Sequence, residues 1–213
     1  MQTTAFNPSV CLPQYRYSQG DIIQCLPNVL YFCLEGIVLL RTLHVSGDEG
    51  MLELITPGLV FGLPLVSVSM TAVALSEVRL KAIDLLYLKR SPQLAQQLVY
   101  PLIDGLRSSH AFLAVSNQRR VHERFSAFLS LLAKQVGHRT EQGMLIDIRL
   151  THQQIANAIG ATRVTVTRLI NDYRHRGLVK TDFQQILIPD LDRLQNFYPP
   201  AELVPVQSQD KPG

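Results

Sequence analysis

Residues 150–176 read LTHQQIANAIGATRVTVTRLINDYRHR, a pattern that predicts two helices joined by a tight turn. Thr151 is a good N-cap because its hydroxyl can accept a hydrogen bond from the first turn. Ile155 and Ile159 are four residues apart, so they share one face of the first helix. Gly160 can adopt the left-handed conformation that ends that helix. These features predict a helix-turn-helix.

The second helix of this motif carries the residues that are suited to contact DNA bases. Thr162 can cap it, and Val166 together with residues 169–170 forms an apolar side that faces inward. The first two turns of a recognition helix reach base edges in the major groove. Arginine is suited to guanine because its fork makes two parallel hydrogen bonds to O6 and N7, and Arg163 is the predicted guanine contact. The residues predicted to contact bases are Arg163, Val164, Thr167 and Arg168.

Polar residues near the same surface are suited to phosphates, which fix the register of a protein on DNA without specifying a sequence. Residues 177–181 and 185–188 predict a short β-hairpin wing. The alternative is two packed helices with a basic side, an interaction module that does not bind DNA, but it leaves Arg163 and Arg168 unexplained. The predicted phosphate contacts are Thr151, His152, Gln153, Thr162, Thr165 and Lys180.

The charge of the chain is concentrated around this motif. Residues 119–180 contain 11 Lys+Arg against 4 Asp+Glu, a net charge of +7, whereas the whole chain has +3. Residues 1–118 carry 7 against 8, and residues 181–213 carry 2 against 5. A local positive surface of this kind attracts phosphates.

The first 90 residues have a different pattern. Short apolar segments separated by turn residues predict an all-β barrel or sandwich. The segments YFCLEGIVLLRTLHV (31–45) and GMLELITPGLVFG (50–62) predict a hairpin around Gly47-Asp48, then a strand and a Pro57-Gly58 turn.

The period changes to that of a helix from Ser91 to Ser116, and a second amphipathic helix is predicted from Val121 to Val136, ending at Gly137. The stripe of the first helix could cover the barrel or pair with a second copy across a two-fold axis, and its near-heptad spacing favours the second copy. Pro92 suits the first turn, whereas Pro101 is expected to kink the helix. The stripe residues assigned to the dimer are Leu102, Leu106, Ser109, Leu113 and Ser116.

The composition excludes several classes of protein. With 46% hydrophobic and 17% charged residues, the chain is neither disordered nor fibrous. Three cysteines (Cys11, Cys25 and Cys33) are too few for a disulfide scaffold, which favours a cytoplasmic location. Residues 1–21 lack a basic segment followed by an apolar one, so no secretory signal is expected, and residues 54–76 are too interrupted by Pro, Gly and Ser to predict a membrane span.

The order β-barrel, long helix, winged helix-turn-helix resembles the Crp/Fnr family of bacterial transcription regulators. YFCLEG (31–36) and PGLVFG (57–62) are similar to the family's strand and turn signatures, and residues 150–170 are most similar to the NtcA-type nitrogen-control branch. The resemblance implies a homodimer on a palindrome with GTA-like half-sites (GTA-N8-TAC), with RNA polymerase as a further partner if the protein is an activator. Val164, where cyclic-AMP receptors carry Glu, argues against a TGTGA-type half-site.

The resemblance implies an α+β fold: an N-terminal β-barrel (a jelly roll like those that bind cyclic nucleotides), a long dimerisation helix and a C-terminal winged helix-turn-helix. The expected boundaries are 1–90 for the barrel, 91–119 for the dimerisation helix, 120–195 for the DNA-binding domain and 196–213 for a disordered tail.

The effector pocket departs from the family's patterns. Gly62-Leu63-Pro64 and Met70-Thr71-Ala72 stand where cyclic-AMP receptors have Gly-Glu-Leu and Arg-Ser-Ala, so no response to cyclic AMP is expected. 2-Oxoglutarate, the effector of the NtcA branch, is a weaker hypothesis, because residues 61–74 contain no arginine and the dicarboxylate would lack half its clamp. The candidate pocket residues are Phe61, Gly62, Leu63 and Arg119.

Metal and enzyme chemistry are the remaining alternatives. An iron–sulfur cluster needs a tight cysteine group, which three widely spaced cysteines do not supply. A haem, metal or cupin-type catalytic site would need partners that His44 lacks in the sequence, and no metal site is predicted. Without a nucleophile-elbow, P-loop or dinucleotide motif, the chain is not expected to be an enzyme.

Overall fold

The computed structural model describes residues 12–43, 49–66, 69–182 and 185–197, and within them the first half of the chain forms eight strands. They are β1 (Gln14–Tyr17), β2 (Ile22–Ile23), β3 (Val29–Glu35), β4 (Val38–Leu43), β5 (Glu49–Ile55), β6 (Val60–Phe61), β7 (Met70–Ala74) and β8 (Val78–Asp84). A short 3-10 turn covers Leu63–Leu65.

The strands form two antiparallel four-stranded sheets, with the orders β1-β8-β3-β6 and β2-β7-β4-β5. Both sheets contribute to one buried interior, in which Tyr31 and Phe61 stack with their ring centroids 5.5 Å apart. This is the predicted jelly roll, built as a sandwich; no pairing between described strands closes it into a single ring.

The segment 31–45 is not a single strand. It is divided at Gly36 between β3 and β4, which belong to different sheets. Gly36 has φ +82, and a Cβ there would lie 2.0 Å from the carbonyl oxygen of Glu77, so only glycine fits this corner. β4 does pair with β5, but the predicted turn at Gly47-Asp48 lies outside the described residues.

The helices of the C-terminal half are interrupted by a second, smaller sheet. The elements are α1 (Leu85–Arg90), α2 (Pro92–Ser116), α3 (Val121–Val136), β9 (Gly137–Thr140), β10 (Gly143–Ile146), α4 (His152–Ile159), α5 (Arg163–His175), β11 (Lys180–Asp182), β12 (Gln185–Ile188) and α6 (Leu191–Phe197). The bounds of α3 and the start of α2 at Pro92 confirm the sequence prediction. The expected tail is wrong at residues 196–197, which end α6; Phe197 packs on Tyr173. The rest of that tail lies outside the described residues.

The apolar stripe of α2 does not stay on one side of the molecule. Leu94 and Leu98 are buried against the β3-β6-β8 sheet, and Phe112 is buried against Phe128 of α3. Leu94 and Phe112 are 18 residues apart, which is five full turns, so they lie on one side of the helix; this side meets the sheet near the start of α2 and α3 near its end. The large apolar residues that remain exposed on α2 are Val99, Tyr100, Leu102, Ile103, Leu106 and Leu113.

The sandwich and the C-terminal half share a hydrophobic core. Leu39, Leu54 and Leu75 belong to the same buried cluster as the residues of α3, α4 and α5, and α4 packs against β5. The helix-turn-helix is therefore in direct contact with the outer side of one sheet.

A half-buried polar cluster lies next to this contact. Ser109 of α2 donates a hydrogen bond to Oε2 of Glu53 on β5, and Gln135 of α3 donates one to Ser108 at 2.9 Å. Burial raises the pKa of Glu53, while hydrogen bonds from Ser108 and Ser109 lower it in part. Ser109, which the sequence assigned to the dimer, thus binds a residue of its own chain.

None of the described helices combines the length and apolar character required to cross a membrane.

Candidate nucleic-acid interface

The first helix of the helix-turn-helix is α4, and its start is capped as predicted. The Oγ1 of Thr151 accepts a hydrogen bond from the Gln154 amide at 3.1 Å, and the Thr151 amide donates to Oε1 of Gln154 at 2.8 Å. Such a reciprocal pair satisfies two backbone donors that the helix itself cannot. The helix ends at Gly160, whose φ of +58 is the left-handed value that the sequence required.

The second helix, α5, begins with an equivalent cap. The Oγ1 of Thr162 accepts a hydrogen bond from the Thr165 amide at 3.2 Å. Val166, Ile170 and Tyr173 are buried, so the opposite face is turned to solvent. Of the predicted base contacts, Arg163, Val164 and Arg168 are exposed there.

Thr167, the fourth predicted base contact, is engaged within the protein. Its hydroxyl donates to the Arg163 carbonyl at 2.9 Å, and Nδ1 of His152 lies 2.9 Å from the same Oγ1. The Thr167 hydroxyl has a single proton, so Nδ1 of His152 is the donor in this pair. The bond joins the first residue of α4 to the second turn of α5, and it leaves the Thr167 methyl group, rather than its hydroxyl, for a base.

The remaining predicted phosphate contacts lie around the same surface. The hydroxyls of Thr162 and Thr165 are 2.9 Å apart, and Nε2 of Gln153 donates to Asn157 at 2.7 Å. Lys180 is exposed at the start of β11.

A cleft of about 560 Å³ separates the helix-turn-helix from the strands β11 and β12. His152, Gln153 and Arg163 line it, together with Asn171 and Arg174 of α5, which sequence reasoning missed. The signal was present, since Arg174 follows Arg163 by 11 residues, or three helical turns, and therefore shares its face. Among the described residues, Arg163, Arg168 and Arg174 form no ion pair, so their charge is available to an anion.

The predicted wing is confirmed but is only half of the sheet. β11 and β12 pair antiparallel, β12 also pairs with β10, and β10 pairs with β9, which gives the order β11-β12-β10-β9. A Cβ at Gly143 would lie 2.3 Å from the Ile188 carbonyl oxygen, so β10 and the end of β12 approach each other closely there.

The candidate effector residues do not converge. Phe61 is buried in the sandwich interior, and Gly62 has φ +150 with space for no Cβ, since one would lie 2.6 Å from the Val29 carbonyl oxygen. Leu63 begins the 3-10 turn. Arg119 is exposed beyond the end of α2, and within the described part of the chain no hydrogen bond or ion pair joins its guanidinium to these residues.

The described cysteines have the character of buried apolar residues. Burial raises the pKa of Cys25 to about 11 and that of Cys33 to about 12, so both are protonated thiols at neutral pH. No group of three or more His, Cys, Asp or Glu side chains within the described ranges is arranged to hold a metal. Cys11 and His44 lie outside those ranges.

Comparison with known proteins agrees with this architecture. Residues 123–197 match the model of the Crp-like helix-turn-helix domain. The chain is 30% identical to the "Global nitrogen regulator" of Synechococcus elongatus over 75% of this chain and 76% of the relative. It is 28% identical to a "CRP-like cAMP-activated global transcriptional regulator" of Mycobacterium tuberculosis, over 78% of this chain and 77% of that one.

A solved CRP/FNR-family regulator of Thermus thermophilus superposes with a TM-score of 0.71 at 26% identity, over 87% of this chain and 98% of that one. The relatives are regulators of transcription and not enzymes. The chain belongs to the Crp/Fnr family of transcription regulators, with a Crp-like helix-turn-helix that binds DNA.

Proposed function

We propose that this regulator binds, as a homodimer, a palindrome with GTA-like half-sites, and that α5 contacts the bases. The observation that carries the proposal is the exposed face of α5, where Arg163, Val164 and Arg168 follow a well-formed N-cap and form no ion pair among the described residues. A guanidinium held at the start of a capped helix suits the O6 and N7 acceptors of guanine.

Different residues of α5 contact different bases of the half-site. Arg163 binds the guanine of the half-site, and the apolar Val164 and the methyl group of Thr167 face thymine methyl groups. Val164 cannot accept a hydrogen bond from cytosine, which disfavours half-sites that need an acidic residue at this place. Arg168 lies one turn further along and contacts the next base or its phosphate.

The cleft beside α5 supports a phosphate path. Thr151, His152, Gln153 and Arg174 line it, and the exposed Lys180 directly precedes Thr181, which also lines it. His152 has its Nδ1 proton directed to Thr167, so its Nε2 can donate to a phosphate of the DNA only when the ring carries a second proton. These contacts hold the protein in register without selecting a sequence.

The exposed apolar side of α2 supports the homodimer. Leu106 and Leu113 are each 56% exposed, unusual values for large apolar residues on one face of a long helix. Pairing with a second copy would bury them, together with Leu102, around a two-fold axis that matches a palindrome. In this division residues 1–90 form the sensor domain, 91–119 the dimer helix and 120–195 the DNA-binding domain.

We propose further that cyclic AMP is not the effector. Leu63 and Met70 offer no charge to a cyclic phosphate, and an unpaired phosphate in an apolar site is costly. 2-Oxoglutarate has only Arg119 as a candidate partner, so the proposal is a DNA-binding activity that neither metabolite controls. A contact with RNA polymerase follows if the protein activates transcription.

Fluorescence anisotropy at fixed salt tests the proposal. The full chain is titrated onto a GTA-N8-TAC duplex and a scrambled duplex, each with and without 2-oxoglutarate or cyclic AMP. We expect tight binding to the palindrome, weak binding to the scrambled duplex and no change with either metabolite. Equal binding to both duplexes would reject sequence-specific recognition and favour the interaction module; selectivity that depends on a metabolite would reject the proposed independence from effectors.

A further inference from the structure

Arg124, in the first turn of α3, contacts an unusual number of backbone carbonyls. Its Nε donates to the Ile159 carbonyl at 2.6 Å, and its Nη1 donates to the carbonyls of Gln118 and Arg119 at 3.0 and 3.2 Å. Its Nη2 lies 3.4 Å from the Gly160 carbonyl. One half-buried guanidinium therefore contacts two separate segments of the chain.

One of these segments is the end of a helix, and the other connects two helices. Residues 159–160 end α4, and residues 118–119 directly follow the C-cap of α2, in its connection to α3. The last carbonyls of α4 have no partner within that helix and carry the negative end of its dipole. A guanidinium suits both segments at once, since it is permanently charged and directs five N–H donors from one plane.

The position of α4 determines that of the recognition helix. α4 is joined to α5 by the three-residue connection 160–162 and by the bond between His152 and Thr167. A shift of the end of α4 relative to α2 would therefore carry α5 with it.

We propose that Arg124 is a positioning residue, which sets the orientation of α5 relative to α2 and thereby the separation of the two recognition helices in a dimer. The proposal rests on the proposed function, because α2 carries the dimer axis there. The packing of α4 on β5 restrains the same helix from its other side, but apolar packing lacks the directionality of four hydrogen bonds.

The contacts distinguish arginine from lysine. A lysine at position 124 would keep the charge, but its single ammonium group cannot direct donors to carbonyls of both segments as a planar fork does. Arg124→Lys therefore tests geometry, and Arg124→Gln tests geometry and charge together. Arg120→Gln is the matched control, since Arg120 is four residues away, its guanidinium is 73% exposed and it pairs only loosely with Glu123, at 3.9 Å.

The experiment is an anisotropy titration of the full chain on duplexes in which the half-sites are separated by 6, 7, 8, 9 or 10 base pairs. Two base pairs rotate a half-site by about 70° around the duplex, so a rigid dimer binds well at one separation only. We expect the wild type and Arg120→Gln to bind the 8-base-pair duplex at least about tenfold more tightly than the 6 or 10 variants. Both Arg124 variants should reduce this preference to about threefold or less, with binding to a scrambled duplex unchanged within about twofold.

The outcomes separate this inference from the proposed function. Arg124 variants that keep the full preference for 8 base pairs overturn the positioning role and leave the proposed function standing. A wild type that does not distinguish the GTA half-site from a scrambled sequence rejects the proposed function and this inference with it. Loss of more than about 10 °C in Tm for both variants, with equal loss of binding to every duplex, shows that Arg124 serves folding and overturns its role in spacing.

Discussion

Ser109 of α2 donates a hydrogen bond of 3.0 Å to the Glu53 carboxylate of β5, while the other carboxylate oxygen of Glu53 is buried without a partner in the described part of the chain. The pair joins β5, in the sheet β2-β7-β4-β5, to the long helix α2, and both residues are half-buried. Partial burial with one unpartnered oxygen disfavours the ionised form of this carboxyl group relative to the protonated form.

Stability should therefore depend on pH through Glu53. Burial raises the pKa of Glu53 above its ordinary value of 4.5, so the folded chain binds this proton more tightly than the unfolded chain does. The free energy of unfolding should then fall as the pH rises from about 4.5 through the raised pKa, because the unfolded chain releases the proton first. Urea unfolding at several pH values between 4.5 and 7.5 would measure this.

The variant Glu53→Gln removes this titration, so its stability relative to the wild type should rise across the same pH range. Ser109→Ala removes a hydrogen bond that lowers the pKa and should move the transition to higher pH. A difference between the wild type and Glu53→Gln that is flat with pH would contradict the assignment.

Arg163→Ala should remove the preference for guanine in the half-site. The bidentate contact contributes about 1–3 kcal/mol of discrimination. The variant should therefore lose about this much of the difference in binding free energy between the GTA-N8-TAC duplex and a duplex in which the guanine is replaced. Lys180→Ala is the control, because a phosphate contact weakens all duplexes alike and lowers the salt dependence by about one ion. Equal weakening by Arg163→Ala on every sequence would show that Arg163 binds phosphate instead.

Leu106→Asp should prevent dimer formation without unfolding the chain. Leu106 is already 56% exposed, so an aspartate there should change the folding stability of the monomer little. In a dimer the same aspartate would be buried without a partner, which is strongly unfavourable. Sedimentation velocity over a range of concentrations would detect the loss. Leu86→Asp, at a site on α1 that is 62% exposed, should leave the oligomeric state unchanged; a monomeric wild type would reject the role of α2.

Two glycine substitutions should differ in their cost. At Gly160 an added Cβ meets no atom within 4 Å, so Gly160→Ala carries only the left-handed strain, about 1–2 kcal/mol. At Gly143 the same Cβ would lie 2.3 Å from the Ile188 carbonyl oxygen, so the backbone of two paired strands must also move. Denaturant midpoints compare the two variants, and a loss at Gly143 no greater than that at Gly160 would contradict the close approach.

Local signals explain which features could be predicted from the sequence. Thr151, Thr162 and Gly160 act within a few residues of their own position, and the structure has all three in the predicted roles. The bounds of α3 follow likewise from an uninterrupted apolar period.

Features that depend on distant partners could not be predicted in this way. Nothing near Arg124 in the sequence indicates that residues 159–160 will supply its acceptors, and the strands β9 and β10 become part of the wing only by pairing with β12. The division of the α2 stripe depends on which neighbour each turn meets, and periodicity alone does not contain that information.

The burial of Leu39 and Leu54 in one cluster with the helix-turn-helix has a consequence for dissecting the molecule. In a fragment that starts at Arg120, the apolar helix residues that pack against these leucines would be exposed to water. In the separated sandwich, the leucines themselves would be exposed. The two halves should therefore melt together in a single calorimetric transition, and each fragment should be less stable and more prone to aggregate than the whole chain.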